Sequence, residues 1–348
     1  MQISFKRILL ISVFLTTVVM TSCSHSNNDV DVSGISVELK FDRFDKDLME
    51  MDTNSFRGID LMQKKYKNFF RFCTDTIMAI TNPSAADSSD AFRKSISLYI
   101  NNSYVREIYD SIRKHFPSTK ELEDQLTDVF KHFKYYFPDF KTPHVITIIS
   151  DFGLSAFTVG AQNEILGIAL QMYLGAGSKV YRQLQNPFPD FMIRKFSKEY
   201  IVSSSVAALA QGMFDRFRGG NKLLDQMIWN GKLLFLAKKI LPASADSITT
   251  GFSKKSLDWL AQNETPVWKY FLKNNLLYNG DQLQIKKYVT DGPTTSGMPA
   301  ESPGNVGSWV GLRIVEKYMQ ENPGISLSEL MTERSAQKIL TLSKYKPQ

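Results

Sequence analysis

Apolar and polar residues alternate along one short segment in the N-terminal part of the chain. The apolar positions are Ile35, Val37, Leu39 and Phe41, and the polar positions between them are Ser36, Glu38 and Lys40. A period of two residues points successive side chains to opposite faces of a strand. The alternation therefore predicts a half-buried strand over residues 35–41.

A helical period follows, from about residue 44 to residue 137. In its clearest stretch the apolar residues fall on one helical stripe. These residues are Leu122, Leu126, Val129, Phe130, Phe133 and Phe137. Ser118 precedes Glu121 by three positions, which is the spacing of a capping box and predicts the start of this helix. Weaker periodicity predicts earlier helices over residues 56–78 and 88–115.

Short β-branched segments replace the helical pattern after Pro143. Strands are predicted over residues 144–150, 155–159 and 165–172, and turn-forming residues separate the last two. Together with residues 35–41 these make four strands, interrupted by the long helical region. This order predicts a small mixed sheet with helices packed against it, which is an α+β fold.

The rest of the chain is again predicted to be helical. One apolar stripe consists of Val202, Val206, Leu209, Met213 and Phe217. Residues 223–241 are apolar on nearly all sides, which predicts a buried helix. The Thr-Pro pair at 265–266 predicts a cap and first turn. Ser326 and Glu329 form a second capping box, which predicts a last helix over residues 327–339.

A segment rich in glycine and proline, residues 290–302, precedes a helix predicted to begin near Val306. Gly304, Gly307 and Gly311 follow at spacings of three and four, which leaves a smooth face that another backbone can approach closely. We treat this region as a candidate structural or cleft motif. Its residues are Glu301, Pro303, Gly304, Gly307, Trp309 and Gly311.

The first 22 residues have the organisation of an export signal. Lys6 and Arg7 precede the apolar run Ile8–Met20, and two small residues lead to Cys23. The apolar run is shorter than the ~20 residues that a membrane-spanning helix needs. Residues 1–22 are therefore predicted to be a cleaved signal peptide.

Two interpretations of Cys23 are open. It is either an incidental cysteine behind an ordinary signal or the lipidated residue of a lipobox, which the preceding residues resemble although Met20 stands where leucine is commonest. Residues 24–34 favour the lipobox, because they have the polar composition of a solvated tether. We therefore predict lipidation of Cys23, a tether over residues 23–34 and stable attachment to a membrane through more than one acyl chain.

The remaining residues, 35–348, are predicted to form a single α+β domain. It comprises a helical part over 42–140, a sheet over 144–172 and a second helical part over 190–345. The hydrophobic share of 43% is ample for one core. The formal net charge of +7 is not concentrated in a basic block, so nucleic acid is not an expected partner.

The sequence contains no familiar metal or cofactor motif. The histidines are isolated, at His25, His115, His132 and His144. Without an H-E-x-x-H pair or a cysteine cluster, neither zinc nor another cofactor is predicted. The acidic run 42–52 lacks the spacing of an EF-hand loop, and we interpret Asp42, Asp45 and Asp47 as solvated charges at a helix start.

Residues for nucleophilic catalysis are equally isolated. The chain has no G-x-S-x-G sequence and no phosphate-binding loop. Cys73 lies in an aromatic helical stretch and is predicted to be a buried apolar residue. We therefore assign no catalytic residue, and the sequence argues against an enzyme. The open alternative is a hydrolase that uses the 290–304 loop with His144 and Glu301.

Three regions together resemble the GldB family of gliding-motility lipoproteins of the Bacteroidetes. They are residues 301–330 (ESPGNVGSWVGLRIVEKYMQENPGISLSEL), residues 336–347 (AQKILTLSKYKP) and pieces of residues 147–181 (IISDF, AFTVG and ALQMYLGAG). The similarity runs from about residue 35 to the end of the chain. It implies a membrane lipoprotein needed for gliding and often found alongside type IX secretion. Non-gliding relatives carry such proteins too, so the resemblance does not imply that the host glides.

The order of the predicted elements also resembles that of gluzincin-type metallopeptidases. Helices, a small sheet, an inner helix and a P-x-x-x-G segment follow one another in both. The inner helix of those enzymes carries H-E-x-x-H, whereas residues 200–217 have serine and alanine where the ligands should stand. This resemblance implies a zincin-like fold without the metal site, whose cleft binds without cutting.

The expected function is that of a membrane-anchored, non-catalytic accessory protein of the gliding or secretion machinery, with envelope proteins as partners. The alternatives are the hydrolase and a glycan- or peptide-binding envelope lipoprotein. Aromatic candidates for the latter are Trp229, Trp259, Trp268 and Trp309, although each lies on an apolar stripe typical of a core. Ser24 follows Cys23 where an aspartate would favour inner-membrane retention, and no acidic run follows. The outer membrane and its periplasmic face are therefore favoured.

Overall fold

Residues 30–81 and 89–347 are described by a computed structural model. Within them the chain forms 17 α-helices and one sheet of four strands, and 58% of it is helical. This confirms the predicted class, a mostly helical α+β fold. The described residues from Val32 onward pack as one unit. The predicted signal peptide, Cys23 and His25 lie outside the described residues.

The N-terminal half contains one strand and six α-helices in the described ranges. They are β1 (Phe41–Arg43), α1 (Phe44–Met49), α2 (Arg57–Tyr66), α3 (Asn68–Arg71) with a π-helical continuation (Phe72–Ile77), α4 (Asp90–Ile100), α5 (Ser103–His115) and α6 (Lys120–Tyr136). Side chains cap two of these helices. The Ser89 hydroxyl accepts from the Phe92 N–H at the start of α4, and the Asn102 carbonyl oxygen accepts from two N–H groups at the start of α5.

The remaining three strands follow in quick succession. They are β2 (His144–Ile148), β3 (Ala156–Val159) and β4 (Ile165–Ala169). The sheet order is β1-β2-β4-β3, in which β1 and β4 lie parallel to β2 and β3 lies antiparallel to β4. β2 and β4 are almost completely buried, as their β-branched sequences suggest, whereas β3 at the outer position is half-buried.

The C-terminal half is helical. Its elements are a 3-10 turn (Leu170–Tyr173), α7 (Lys179–Arg182), α8 (Asp190–Ile193), a 3-10 turn (Lys198–Tyr200), α9 (Ile201–Phe214), a 3-10 turn (Asp215–Phe217), α10 (Leu223–Ile240), α11 (Asp246–Thr250), α12 (Lys254–Gln262), α13 (Glu264–Lys273), α14 (Gln282–Val289), α15 (Val306–Glu321), α16 (Leu327–Thr332) and α17 (Ala336–Ser343). α9 lies against β3 and β4, and α10 packs along α15.

The strand predicted over residues 35–41 is much shorter in the structure. β2 pairs with this segment only from Val145, opposite Phe41, so regular strand is confined to Phe41–Arg43. The alternation nevertheless persists as alternating exposure. The half-buried residues are Ile35, Val37 and Leu39, and the exposed ones are Ser36, Glu38 and Lys40. The alternation therefore predicted the half-buried face correctly, but the predicted strand is wrong for residues 35–40, which lie outside the strand that pairs with β2.

Two of the three predicted helix caps differ in the structure. α6 begins at Lys120, and the Ser118 hydroxyl accepts only from the Lys120 N–H, so the predicted capping box is wrong. Thr265 is not a cap either, because α12 ends at Gln262 and α13 already begins at Glu264. The box of Ser326 and Glu329 is confirmed.

The last predicted helix is two helices in the structure. α16 ends at Thr332, and Glu333 adopts an extended conformation. α17 then starts afresh at Ala336, where the Ser335 hydroxyl accepts from the Lys338 N–H. The apolar period continues through both helices, which is why the sequence pattern showed one.

The tightest helix contact joins α10 and α15 in the middle of the C-terminal half. A Cβ on Gly311 would clash with the carbonyl of Met227, and a Cβ on Gly231 would clash with the backbone of Gly311. The two backbones therefore touch at their glycines, as predicted for the smooth face of α15. Eleven of the 18 residues of α10 are buried and none is exposed, which agrees with the burial predicted for this helix.

Candidate functional site

A cleft of about 500 Å³ lies beside α1 and α2, where the acidic run of the sequence stands. Its lining side chains are acidic (Asp47, Glu50, Asp52), basic (Arg57, Lys65) and apolar (Met51, Leu61, Met62). Leu61 is 59% exposed, although it belongs to an otherwise well-packed amphipathic helix. Apolar surface combined with a few charged groups is the usual character of a binding cleft.

The loop between α1 and α2 is held close to the first turn of α2. A Cβ on Gly58 would clash with the carbonyl of Asp52 and with the side chain of Met51. Asp52 also accepts from the Asn54 N–H at 2.9 Å and from the Ser55 hydroxyl at 3.3 Å. The wall of the cleft that this loop forms is therefore a defined turn.

The innermost charge of the acidic run is completely buried. Asp45 has no exposed surface, and its two carboxylate oxygens accept from the Arg43 guanidinium at 2.9 and 2.6 Å. The Thr147 hydroxyl of β2 donates to the same carboxylate. Our interpretation of Asp45 as a solvated charge is therefore wrong, because its position next to β1 places it under the sheet edge. Arg43 also donates to the carbonyl of Phe116.

The outer charges form a chain of ion pairs along the cleft. Lys65 at the end of α2 lies 3.0 Å from Asp42 and 2.7 Å from Asp47. The Tyr66 hydroxyl donates to Asp47 at 2.7 Å, and burial is the main reason why the pKa of Tyr66 is raised above its ordinary value. Glu50 accepts from the buried Tyr109 hydroxyl at 2.7 Å. These contacts fix α1, α2 and α5 relative to one another.

His144, the first residue of β2, adds a further polar contact to this series of ion pairs. Its Nε2 lies 2.7 Å from the Asp42 carboxylate, and because a carboxylate only accepts, Nε2 carries the proton in this contact. Burial lowers the pKa of His144 below its ordinary value, although the hydrogen bond to Asp42 opposes the shift. The imidazole is therefore a neutral donor at neutral pH, and Lys65 supplies the charge that balances Asp42.

The candidate motif at residues 301–311 is mostly inside the protein. Glu301 is exposed, whereas the other members are buried: Pro303, Gly304, Gly307, Trp309 and Gly311. A Cβ on Gly307 would lie 2.9 Å from the carbonyl of Tyr288, and one on Gly304 would clash with the backbone of Gly292. The motif thus joins the preceding loop and α14 to α15, and its cleft role stays a prediction.

The two candidates for hydrolytic chemistry have different surroundings. His144 contacts Asp42, and its other charged neighbours are Lys40 and Lys65. The polar contacts of the 290–304 loop lead elsewhere: Asp291 pairs with Lys195, and a Cβ on Gly297 would lie 2.6 Å from the Tyr270 hydroxyl. No described contact joins the two regions.

The other residues considered from the sequence are part of the packing. Trp229, Trp268 and Trp309 are buried, and Trp259 is half-buried. Cys73 is buried, and burial raises the pKa of its thiol well above the ordinary value. Within residues 30–81 and 89–347 no group of three or more His, Cys, Asp or Glu side chains is arranged to hold a metal ion.

One buried charge escaped the sequence analysis. Lys232 lies on α10, where the nearly continuous apolar sequence predicted burial on all sides and therefore drew no attention to it. Its ammonium donates to the carbonyls of Met331 and Glu333 at 3.1 and 2.9 Å and lies 5.2 Å from the centre of the Trp229 ring. Burial lowers the pKa of Lys232 to about 8.

None of the helices in the described ranges is both long and apolar enough to cross a membrane. No curated protein and no solved structure matches the chain. The likeness to gluzincin-type peptidases therefore gains no support, and the helix that would carry the metal ligands, α9, has serine and alanine in their places.

One family profile does match, and it spans nearly the whole chain. It covers residues 25–347 and is described as gliding motility protein GldB. The match takes in the cleft beside α1 and α2, the whole sheet and the α10–α15 contact. The chain therefore belongs to the GldB family of gliding motility lipoproteins.

Proposed function

We propose that this protein is a lipid-anchored accessory component of the gliding machinery, and that it works by binding an envelope protein instead of by catalysis. The family match over residues 25–347 carries the proposal. The ion pairs beside the cleft also support the proposal, because Lys65 pairs with Asp42 and Asp47 within the protein itself.

The cleft beside α1 and α2 is the surface that we assign to the partner. It combines exposed apolar surface at Leu61 with the side chains of Arg57, Glu50 and Asp52, which are exposed to solvent. An apolar centre with charged groups around it is the usual composition of a protein–protein contact. The ion pairs along the cleft hold its walls in place, so little ordering is needed on binding.

The anchor sets where this binding takes place. Lipidation of Cys23 attaches the protein to a membrane through the tether, residues 23–34, and the outer membrane on its periplasmic side is the location that we favour. Confinement to a membrane raises the effective concentration of the protein toward partners in the same envelope. The anchor thus compensates for a contact of modest area.

Site-specific photo-crosslinking tests this assignment. A photoreactive amino acid replaces either Leu61 in the cleft or, as a matched control, Leu283, which is 74% exposed on α14. We expect the probe at Leu61 to give a discrete adduct with an envelope protein of the gliding or secretion machinery, and the probe at Leu283 to give none. The substitution Leu61→Arg, which adds a charge to the apolar centre, should abolish co-purification of the crosslinked protein, whereas Leu283→Arg should not.

The opposite pattern would contradict the proposal. If Leu61→Arg left co-purification of the envelope protein unchanged while Leu283→Arg removed it, the partner surface would be α14 and not the cleft. If purified protein hydrolysed a peptide or glycan and lost that activity on His144→Gln, the protein would be the hydrolase that we consider the alternative.

A further inference from the structure

The outer edge of the sheet carries backbone groups that point away from the protein's own strands. β3 pairs with β4, and the Ala169 N–H donates to the Ser155 carbonyl just before β3 begins. In an antiparallel pair, residues that bond across the pair alternate with residues whose N–H and C=O groups point outwards. Ser155 and every second residue after it therefore face β4. Ala156 and Thr158 direct their N–H and C=O groups to the outer side.

These outward groups have no hydrogen-bond partner in the part of the chain that the structure describes. Charged residues and proline, which often guard a free edge, are both absent from Ser155 to Gly160. The opposite edge, β1, differs in this respect because it contains Asp42 and Arg43, which are held in ion pairs.

α9 packs against β3 and β4. A Cβ on Gly212 would lie 2.6 Å from the Thr158 hydroxyl, which brings α9 close to β3. Near the other end of β3, Ser204 and Ser155 both approach the Tyr173 hydroxyl. In the described residues, α9 thus packs against β3 without a backbone hydrogen bond to its outward groups.

We infer that β3 binds an extended segment of a partner protein as an additional strand, through hydrogen bonds to the N–H and C=O groups of Ala156 and Thr158. Strand addition at a free edge takes most of its affinity from the backbone. The segment carries β-branched, uncharged residues where it meets the edge, because such residues favour strands and Ser155–Gly160 offers no charge to pair with. This surface is separate from the cleft beside α1 and α2.

A proline substitution tests the inference without breaking the sheet. The Thr158 N–H points outwards, so Thr158→Pro removes a donor from the free edge and none from the bonds to β4. The matched control Thr158→Val keeps that N–H and nearly the same shape. Binding is measured by fluorescence anisotropy with a labelled, end-blocked peptide of alternating threonine and valine that carries a lysine at each end for solubility. A second peptide, N-methylated at every other residue, cannot donate to the edge.

We expect wild type and Thr158→Val to bind the first peptide equally, and Thr158→Pro to bind it roughly tenfold more weakly, with an unchanged melting temperature. The N-methylated peptide should not bind wild type at all, a result that does not depend on the folding of any variant. Equal binding of both peptides would overturn the inference. So would a concentration-dependent dimer that Thr158→Pro abolishes, since the edge would then serve self-association.

Discussion

The Arg43–Asp45 pair shows that the environment of a single charged residue can differ from what its sequence context predicts. In the sequence Asp45 is one of several acids before a helix, yet in the fold it is fully buried and bonded to Arg43 and Thr147. A buried carboxylate that loses its cation keeps the full desolvation cost. The pair is therefore a strong local constraint on the junction between β1 and α1.

The first prediction concerns this pair. Arg43→Met should lower the free energy of unfolding by about 3–5 kcal/mol, because it leaves the Asp45 carboxylate buried without a cation. Arg113→Met, which breaks an exposed pair with Asp110 at 3.7 Å, should cost at most about 1 kcal/mol. Urea denaturation of both variants measures the difference. Equal losses would show that Asp45 is hydrated in solution.

The second prediction follows from Lys232, whose pKa of about 8 lies below the ordinary 10.5. The folded state binds fewer protons than the unfolded state between these values, so stability should rise with pH across this window, and the cost of burying the charge is fully present below pH 8. This lowering of the pKa corresponds to about 3 kcal/mol. Wild type should therefore gain up to that amount relative to Lys232→Met between pH 7 and pH 10.5.

Denaturant titrations at several pH values measure this difference. Lys255→Met, which removes an exposed lysine, controls for the general effect of losing one positive charge. A constant difference between wild type and Lys232→Met over the whole pH range would mean that the ammonium is hydrated and not buried.

At the scale of elements, helix contacts were easier to predict than helix ends. The spacing of Gly307 and Gly311 is visible in the sequence and does bring two backbones together, although the partner residue, Gly231, could not be identified by spacing alone. The ends of helices depend on what precedes them. Ser118 does not cap α6, because that helix begins two residues later, at Lys120. No local sequence pattern indicates this start.

The third prediction concerns the α10–α15 contact. Gly311→Ala should destabilise the protein by about 2–3 kcal/mol, because the added methyl group clashes with the carbonyl of Met227. In an isolated helix the same change would instead be stabilising by about 1 kcal/mol. Gly324→Ala, at a glycine with nothing within 4 Å of the added atom, is the control. A thermal melt in which Gly311→Ala matched wild type would show that the helices can separate at no cost.

At the scale of the whole molecule, the sequence revealed the class of the fold and the family but not the cleft. The four strands and the helical regions follow from periodicity, and the family profile matches residues 25–347. The cleft is formed by α1, α2 and the loop between them, and its ion pairs reach His144 across about 100 residues of sequence. No local pattern could show that Asp42, Lys65 and His144 would meet.

The fourth prediction concerns the anchor. Cys23→Ser should move the protein from the membrane fraction to the soluble fraction and abolish incorporation of an alkyne-labelled fatty acid, since acyl chains supply the binding to the bilayer. Ser24→Ala is the matched control and should change neither result. Membrane retention of unlabelled Cys23→Ser would show that the anchor lies elsewhere, and the proposed role of the tether would then be wrong.

The position of β1 has a mechanical consequence. If the chain is anchored as proposed, a pull on the tether would reach β1 as the first strand of the body, because residues 33–40 form no regular element. β1 is held to the interior strand β2 by parallel pairing and to α1 by the Arg43–Asp45 pair. The end at which the proposed lipid anchor would pull is thus joined directly to an interior strand of the sheet, so tension on the tether would act first on the hydrogen bonds between β1 and β2.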